Sequence, residues 1–130
     1  MEERGFVTQR VAELLRSKGF DIPTLYYYRY IGNGKQYKLT DAMAAHDWNS
    51  SDSLGTWQYS APTVQVAIDW VETKGYWIVY RPLNYNYGVD TYIYTANDDN
   101  EWYAVENFVT QDKYEGLNKA LEYCLENLIR

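Results

Sequence analysis

The chain has a single histidine, His46, followed directly by Asp47 and Trp48. A His–Asp pair is half of a general-base arrangement, in which the carboxylate orients an imidazole that removes a proton from a nucleophile or a water. Sequence neighbours point in different directions, and no Ser or Cys is spaced to complete a triad. A hydrolase reading therefore rests on His46 with Asp47 or with a distant carboxylate. The one cysteine, Cys124, falls on the apolar stripe of the C-terminal helix pattern and reads as a small buried hydrophobe rather than a reactive thiol. Asp98, Asp99 and Glu101 crowd one turn, yet they lack the ordered ligand spacing and glycine of a calcium loop, so they read as solvated acids. Nothing has the Cys/His spacing of a zinc site. Gly32-Asn33-Gly34 lacks the following Lys-Ser/Thr of a phosphate loop. Neither a metal nor a cofactor is expected.

The aromatic residues are more informative. Of 130 residues, 15 are Tyr, five Trp and three Phe, 18% in all, whereas Lys+Arg total 12 against 18 Asp+Glu for a formal net charge of -6. That balance argues against nucleic-acid binding, which needs concentrated positive charge, and it is too modest for a convincing acidic mimic of nucleic acid. In strands, alternate rings point to opposite faces, so tyrosines at every second position form cross-strand ladders. Where helices cover one face of a sheet, the rings on the other face remain as a rigid amphipathic surface suited to a partner. The candidates are Tyr80, Tyr92 and Tyr94 in strands and Tyr85 and Tyr87 between asparagines in a loop, with Arg81 available to an acidic group of the partner. The expected partner is an unidentified protein or a second copy of the chain. Sugar or nucleobase stacking ranks below protein binding, because no phosphate-neutralising charge accompanies the rings.

The elements that would carry these residues follow from periodicity. Val7, Val11, Leu14 and Leu15 predict a helix over about 8–18, capped by Thr8 and ended by Gly19. Leu25 to Ile31 predicts a strand, Gly32-Asn33-Gly34 a turn, and Gln36 to Leu39 a short return strand. Alanines predict a short helix over 40–48 capped by Thr40. The Ser/Asn/Asp-rich run 49–60 predicts a loop that packs Leu54, Trp57 and Tyr59. A second helix over 62–74 carries Val64, Ala67, Ile68, Trp70 and Val71 on one stripe and ends at Lys74-Gly75. Strands follow over 76–82, 89–95 and 101–106, the first stopped or forced to an edge by Pro82. Asp112-x-x-Glu115 is a capping box for a last helix reaching Ile129. Length and composition suit a single domain over 1–130. The fold class is α+β, an antiparallel sheet with helices mainly on one face, including a helix, three-stranded meander and helix in succession. Lys18-Gly19-Phe20 and Lys74-Gly75-Tyr76, each between a helix and a strand, form a faint internal echo that shared cap chemistry explains as well as duplication does.

Acidic residues near the N-terminus and the absence of an apolar run of about 20 residues give no signal peptide or membrane span, so a cytoplasmic setting without membrane partners is expected. The meander and its two helices follow the order of a double-stranded-RNA-binding domain, but the last helix opens Asp112-Lys113-Tyr114-Glu115-Gly116 without the lysine cluster such domains use.

The segments SAPTVQVAIDWVETKGYWIVYRP (60–82) and YEGLNKALEYCLENLI (114–129), with VAELLRSKGFD (11–21), resemble a group of small uncharacterised proteins of Bacteroides and their phages or mobile elements. Gly116 stands where that pattern has alanine, which lowers helix propensity. The resemblance implies a host and a mobile-element origin, and it carries no catalytic residues to transfer. The expected function is thus a noncatalytic protein-binding or accessory role, with a small hydrolase using His46 or a weak acidic nucleic-acid mimic as the alternatives.

Overall fold

The structure, a computed structural model, describes residues 5–32, 36–49, 58–84 and 87–130. Among the described residues the chain forms an α+β fold whose strands fall into two three-stranded antiparallel sheets rather than one. Two compact units result, residues 1–63 and residues 64–130.

In the first unit, α1 (Gln9–Ser17) starts where Thr8 accepts a hydrogen bond from the Val11 amide at 3.2 Å. The helix buries Val11, Ala12 and Leu15, the residues its apolar period selects. Gly19, at φ 88°, ends it in a Schellman turn, with Phe20 N donating to Leu15 O and Gly19 N to Arg16 O. The chain then enters β1 (Thr24–Gly32), the centre of a sheet ordered β2-β1-β3, with β2 spanning Gln36–His46 and β3 Gln58–Ser60.

The helix expected over 40–48 is strand: β2 continues to His46, opposite Thr24 of β1. The step from Tyr26 to Thr24 on β1 faces the longer step from Asp41 to His46 on β2, so residues 42–45 bulge out of the ladder. Asp41 turns the backbone there by accepting the Met43 amide at 2.9 Å, and Met43 adopts φ 68° with its side chain 92% exposed. Alanine's helix propensity is worth only tenths of a kcal/mol per residue, roughly, against residues such as Thr and Asp, and pairing with β1 overrides it. Part of the loop expected over 49–60 is β3, and residues 50–57, including Leu54 and Trp57, lie outside the described residues. Trp48 doubles back to stack on Tyr27, centroids 4.1 Å apart at 15°, while its indole donates to Thr24 O at 2.9 Å.

In the second unit, α2 (Val64–Glu72) begins after Pro62 and Thr63 and buries the predicted stripe of Val64, Ala67, Ile68, Trp70 and Val71. Gly75, at φ 97°, closes it with the same two Schellman bonds, Tyr76 N to Val71 O and Gly75 N to Glu72 O. The two helix ends thus share their cap chemistry, while the strand after the first cap is central in its sheet and the strand after the second is an edge. That strand is β4 (Trp77–Pro82), followed by β5 (Val89–Ala96) and β6 (Trp102–Thr110) in a β4-β5-β6 meander. β6 runs four residues beyond its expected end at Glu106. Asp112 caps α3 (Lys113–Tyr123) by accepting the amides of Tyr114 and Glu115. The end of the expected helix, 124–128, winds as a wider π-helical turn closed by Ile129 N to Cys124 O at 2.8 Å. Both helices pack on this sheet, α3 against all three strands and α2 against β4. Among the described residues, no helix is long and apolar enough to cross a membrane.

Candidate functional site

Strand pairing assigns each side chain of the β4-β5-β6 sheet to a face. Ile78 opposite Ile93 and Tyr80 opposite Thr91 lie on one side, where Ile78, Thr91 and Ile93 are buried. Trp77 opposite Tyr94, Val79 opposite Tyr92 and Arg81 opposite Asp90 lie on the other. On β6 the register continues this second row with Val109 opposite Asp90, Asn107 opposite Tyr92 and Trp102 opposite Ala96. Alternation through a two-sided sheet thus leaves one face to water.

The open face is strongly aromatic. Trp77 and Trp102 meet edge to face at 4.5 Å and 86°, and Tyr92 and Tyr94 lie 5.8 Å apart along β5. Trp102 is 55% exposed, Val109 60% and Val79 46%. Val79, Tyr80, Arg81, Tyr92 and Tyr94 line an open cleft of about 220 Å³. The rings are not loose: the Trp77 indole donates to Glu72 at 2.9 Å.

A polar chain crosses the same face. Arg81 donates to the Tyr92 hydroxyl at 2.9 Å and its guanidinium lies 5.4 Å from the centre of the Tyr92 ring. The Tyr92 hydroxyl is hydrogen-bonded to Asp90, whose Oδ1 also accepts from Asn107 at 3.0 Å. The Tyr92 bond and then the Asn107 bond hold the Asp90 carboxyl below its ordinary value, aided by the Arg81 charge. The same Asp90 bond raises the phenol of Tyr92. Asp90 is buried and stands opposite the exposed Arg81 in the ladder, so the two opposite charges are neighbours on this face.

Four of the six sequence candidates meet here: Tyr80, Arg81, Tyr92 and Tyr94 line the one cleft. Tyr80 reaches it from the opposite side of β4, and its ring lies 5.6 Å from Lys113 Nζ at the start of α3. Tyr87 is 68% exposed in the β4–β5 connection, and Tyr85 lies outside the described residues. Sequence reasoning did not select Trp77, Val79, Trp102 and Val109 as partner-binding residues. The signal was available for the first two, which share the parity of Arg81 in β4; Val109 was missed because β6 was expected to stop at Glu106.

His46 sits exposed at the end of β2, its ring 4.8 Å from that of Trp48, edge on. Asp47 accepts the Asn49 amide at 3.2 Å in a local turn. Cys124 is fully buried, and burial pushes its thiol up to about 12. Among the described residues, no group of three or more His, Cys, Asp or Glu side chains is arranged to hold a metal ion. A second aromatic cluster lies in the first unit, where Tyr37 meets Tyr30 at 5.4 Å and Tyr59 at 5.3 Å, with Arg16 5.5 Å from the Tyr59 ring centre. Burial first, then hydrogen bonding to Tyr59, raises the Tyr37 phenol to about 12. No family model matches the chain, and neither a curated protein nor a solved structure matches it.

Proposed function

We propose that the chain is a noncatalytic protein-binding module that engages its partner through the open face of β4-β5-β6. The observation that carries this reading is the continuity of the face: Trp77, Val79, Tyr92, Tyr94, Trp102 and Val109 share one side of a single meander, and several of them are half-exposed or more. Large rings held by strand pairing lose little entropy on contact and bury much apolar area, which is the composition of binding hot spots. Arg81 supplies a charge for orientation.

The setting we propose is a bacterial cytoplasm. The single free thiol, Cys124, suits a reducing compartment. The resemblance of residues 60–82 and 114–129 to small proteins of Bacteroides and their phages supports a mobile-element origin, and makes such cells the place to seek the partner.

The test is photo-crosslinking in those cells with the chain and with a Trp102→Ser/Val109→Ser variant. Both substitutions fall on exposed side chains, so circular dichroism should be unchanged while the crosslinked adduct disappears. An adduct of equal yield from both chains would overturn the reading.

A further inference from the structure

We infer that Met43 is a modification site, at which the thioether reversibly takes up one oxygen atom from a hydroperoxide while Cys124 stays reduced. The site lies in the first unit and does not depend on the protein-binding reading above. It rests on where β2 puts the sulfur. Residues 42–45 leave the ladder between Asp41 and His46, and within that bulge Met43 is 92% exposed, the most open large apolar side chain among the described residues. Its neighbours Ala42, Ala44 and Ala45 are too small to screen the thioether, and Ala44 and Ala45 are themselves exposed.

The presentation is built into the backbone. Asp41 Oδ1 accepts the Met43 amide at 2.9 Å, and Met43 takes φ 68°, a conformation that a residue other than glycine seldom adopts. The turn thus holds a flexible, polarisable side chain in water at a fixed place on the strand. Oxidation in a core replaces an apolar group by a polar one and disrupts packing. At Met43 the sulfoxide lies in water, so the fold tolerates both states and the modified side chain stays accessible to whatever reduces it.

The sequence holds two methionines and one cysteine, and Met1 lies outside the described residues. A cysteine is ordinarily the more readily oxidised sulfur, because its thiolate is the nucleophile. Cys124, however, is fully buried, and burial pushes its thiol up to about 12, so roughly one in 10⁵ is ionised at pH 7. Folding therefore reverses the usual order. At Met43 a sulfur lone pair attacks the hydroperoxide, the S–O bond forms as the O–O bond breaks, and the peroxide proton passes to the departing oxygen to give water or an alcohol. The sulfur is oxidised by two electrons and the hydroperoxide is reduced. Two thiols reverse the change, leaving as a disulfide with one water.

Treatment of the full chain with hydrogen peroxide at pH 7, followed by tryptic digestion and mass spectrometry, tests this. Met43 falls in peptide 39–74 and Cys124 in peptide 120–130. The folded chain should gain one oxygen on 39–74, localised to Met43 by fragmentation, at a rate within about threefold of that in urea, with Cys124 still open to alkylation after unfolding. In urea the order should invert, Cys124 being consumed first. Methionine sulfoxide reductases A and B with dithiothreitol should return the peptide to its original mass. Met43→Leu should abolish the gain while leaving circular dichroism unchanged. A slower reaction in the folded chain, loss of Cys124 there at the pace of Met43, a gain that survives Met43→Leu, or a product the reductases do not revert would each overturn the assignment.

Discussion

Gly116 of α3 lies directly against Thr91 of β5. A Cβ at 116 would collide with Thr91 Oγ1 and come within 2.9 Å of Thr110 Oγ1, so the helix reaches this depth only because the residue is glycine. Judged by helix propensity alone, the glycine is a defect; judged by packing, it sets the distance between α3 and its sheet.

Gly116→Ala should consequently destabilise the protein. The propensity gain of about 1 kcal/mol is outweighed by overpacking of about 1–3 kcal/mol on top of it. Chemical denaturation should show a lower midpoint, and the penalty should shrink in a Thr91→Ala background, where the colliding hydroxyl is gone. Thr91 Oγ1 is also buried without a hydrogen-bond partner. Thr91→Val should then be neutral or stabilising, by on the order of 1 kcal/mol.

Asp90 should give the protein an acid-sensitive component. Its hydrogen bonds from Tyr92 and Asn107 hold its folded pKa below the ordinary 3.8. Stability from this group is present above the unfolded value and is lost as pH falls through the folded one. Denaturation midpoints of the unaltered chain should fall between about pH 5 and pH 2 more steeply than those of Asp90→Asn, which does not titrate there. Equal slopes for the two proteins would show that the Asp90 network contributes nothing.

Tyr37 should ionise later than an ordinary tyrosine. With its phenol raised from 10.0 to about 12 by burial and by Tyr59, the linked stability is complete below the unfolded value and is lost as pH rises through the folded one. Ultraviolet difference titration should show a late phenolate step that Tyr37→Phe removes. Tyr59→Phe should move that step to lower pH, since one of its causes is gone.

Local sequence determined much of the architecture. The apolar stripes of α1 and α2, the Thr8 and Asp112 caps and the glycines at 19 and 75 are properties of a few residues each, and short-range hydrogen bonds suffice to realise them. The alternation of β5 likewise placed Tyr92 and Tyr94 on one face. Other features were decided by partners distant in sequence. The alanines at 42, 44 and 45 carry a helical preference that pairing with β1 overrules, and nothing within 40–48 announces that pairing. The division of the six described strands into two sheets and the length of β6 depend on which ladders form, not on any one strand. The aromatic face is the clearest case: sequence supplied the rings and their parity, but α3 pressing Gly116 onto Thr91 decided which parity was buried and which, with Arg81 among it, was left exposed.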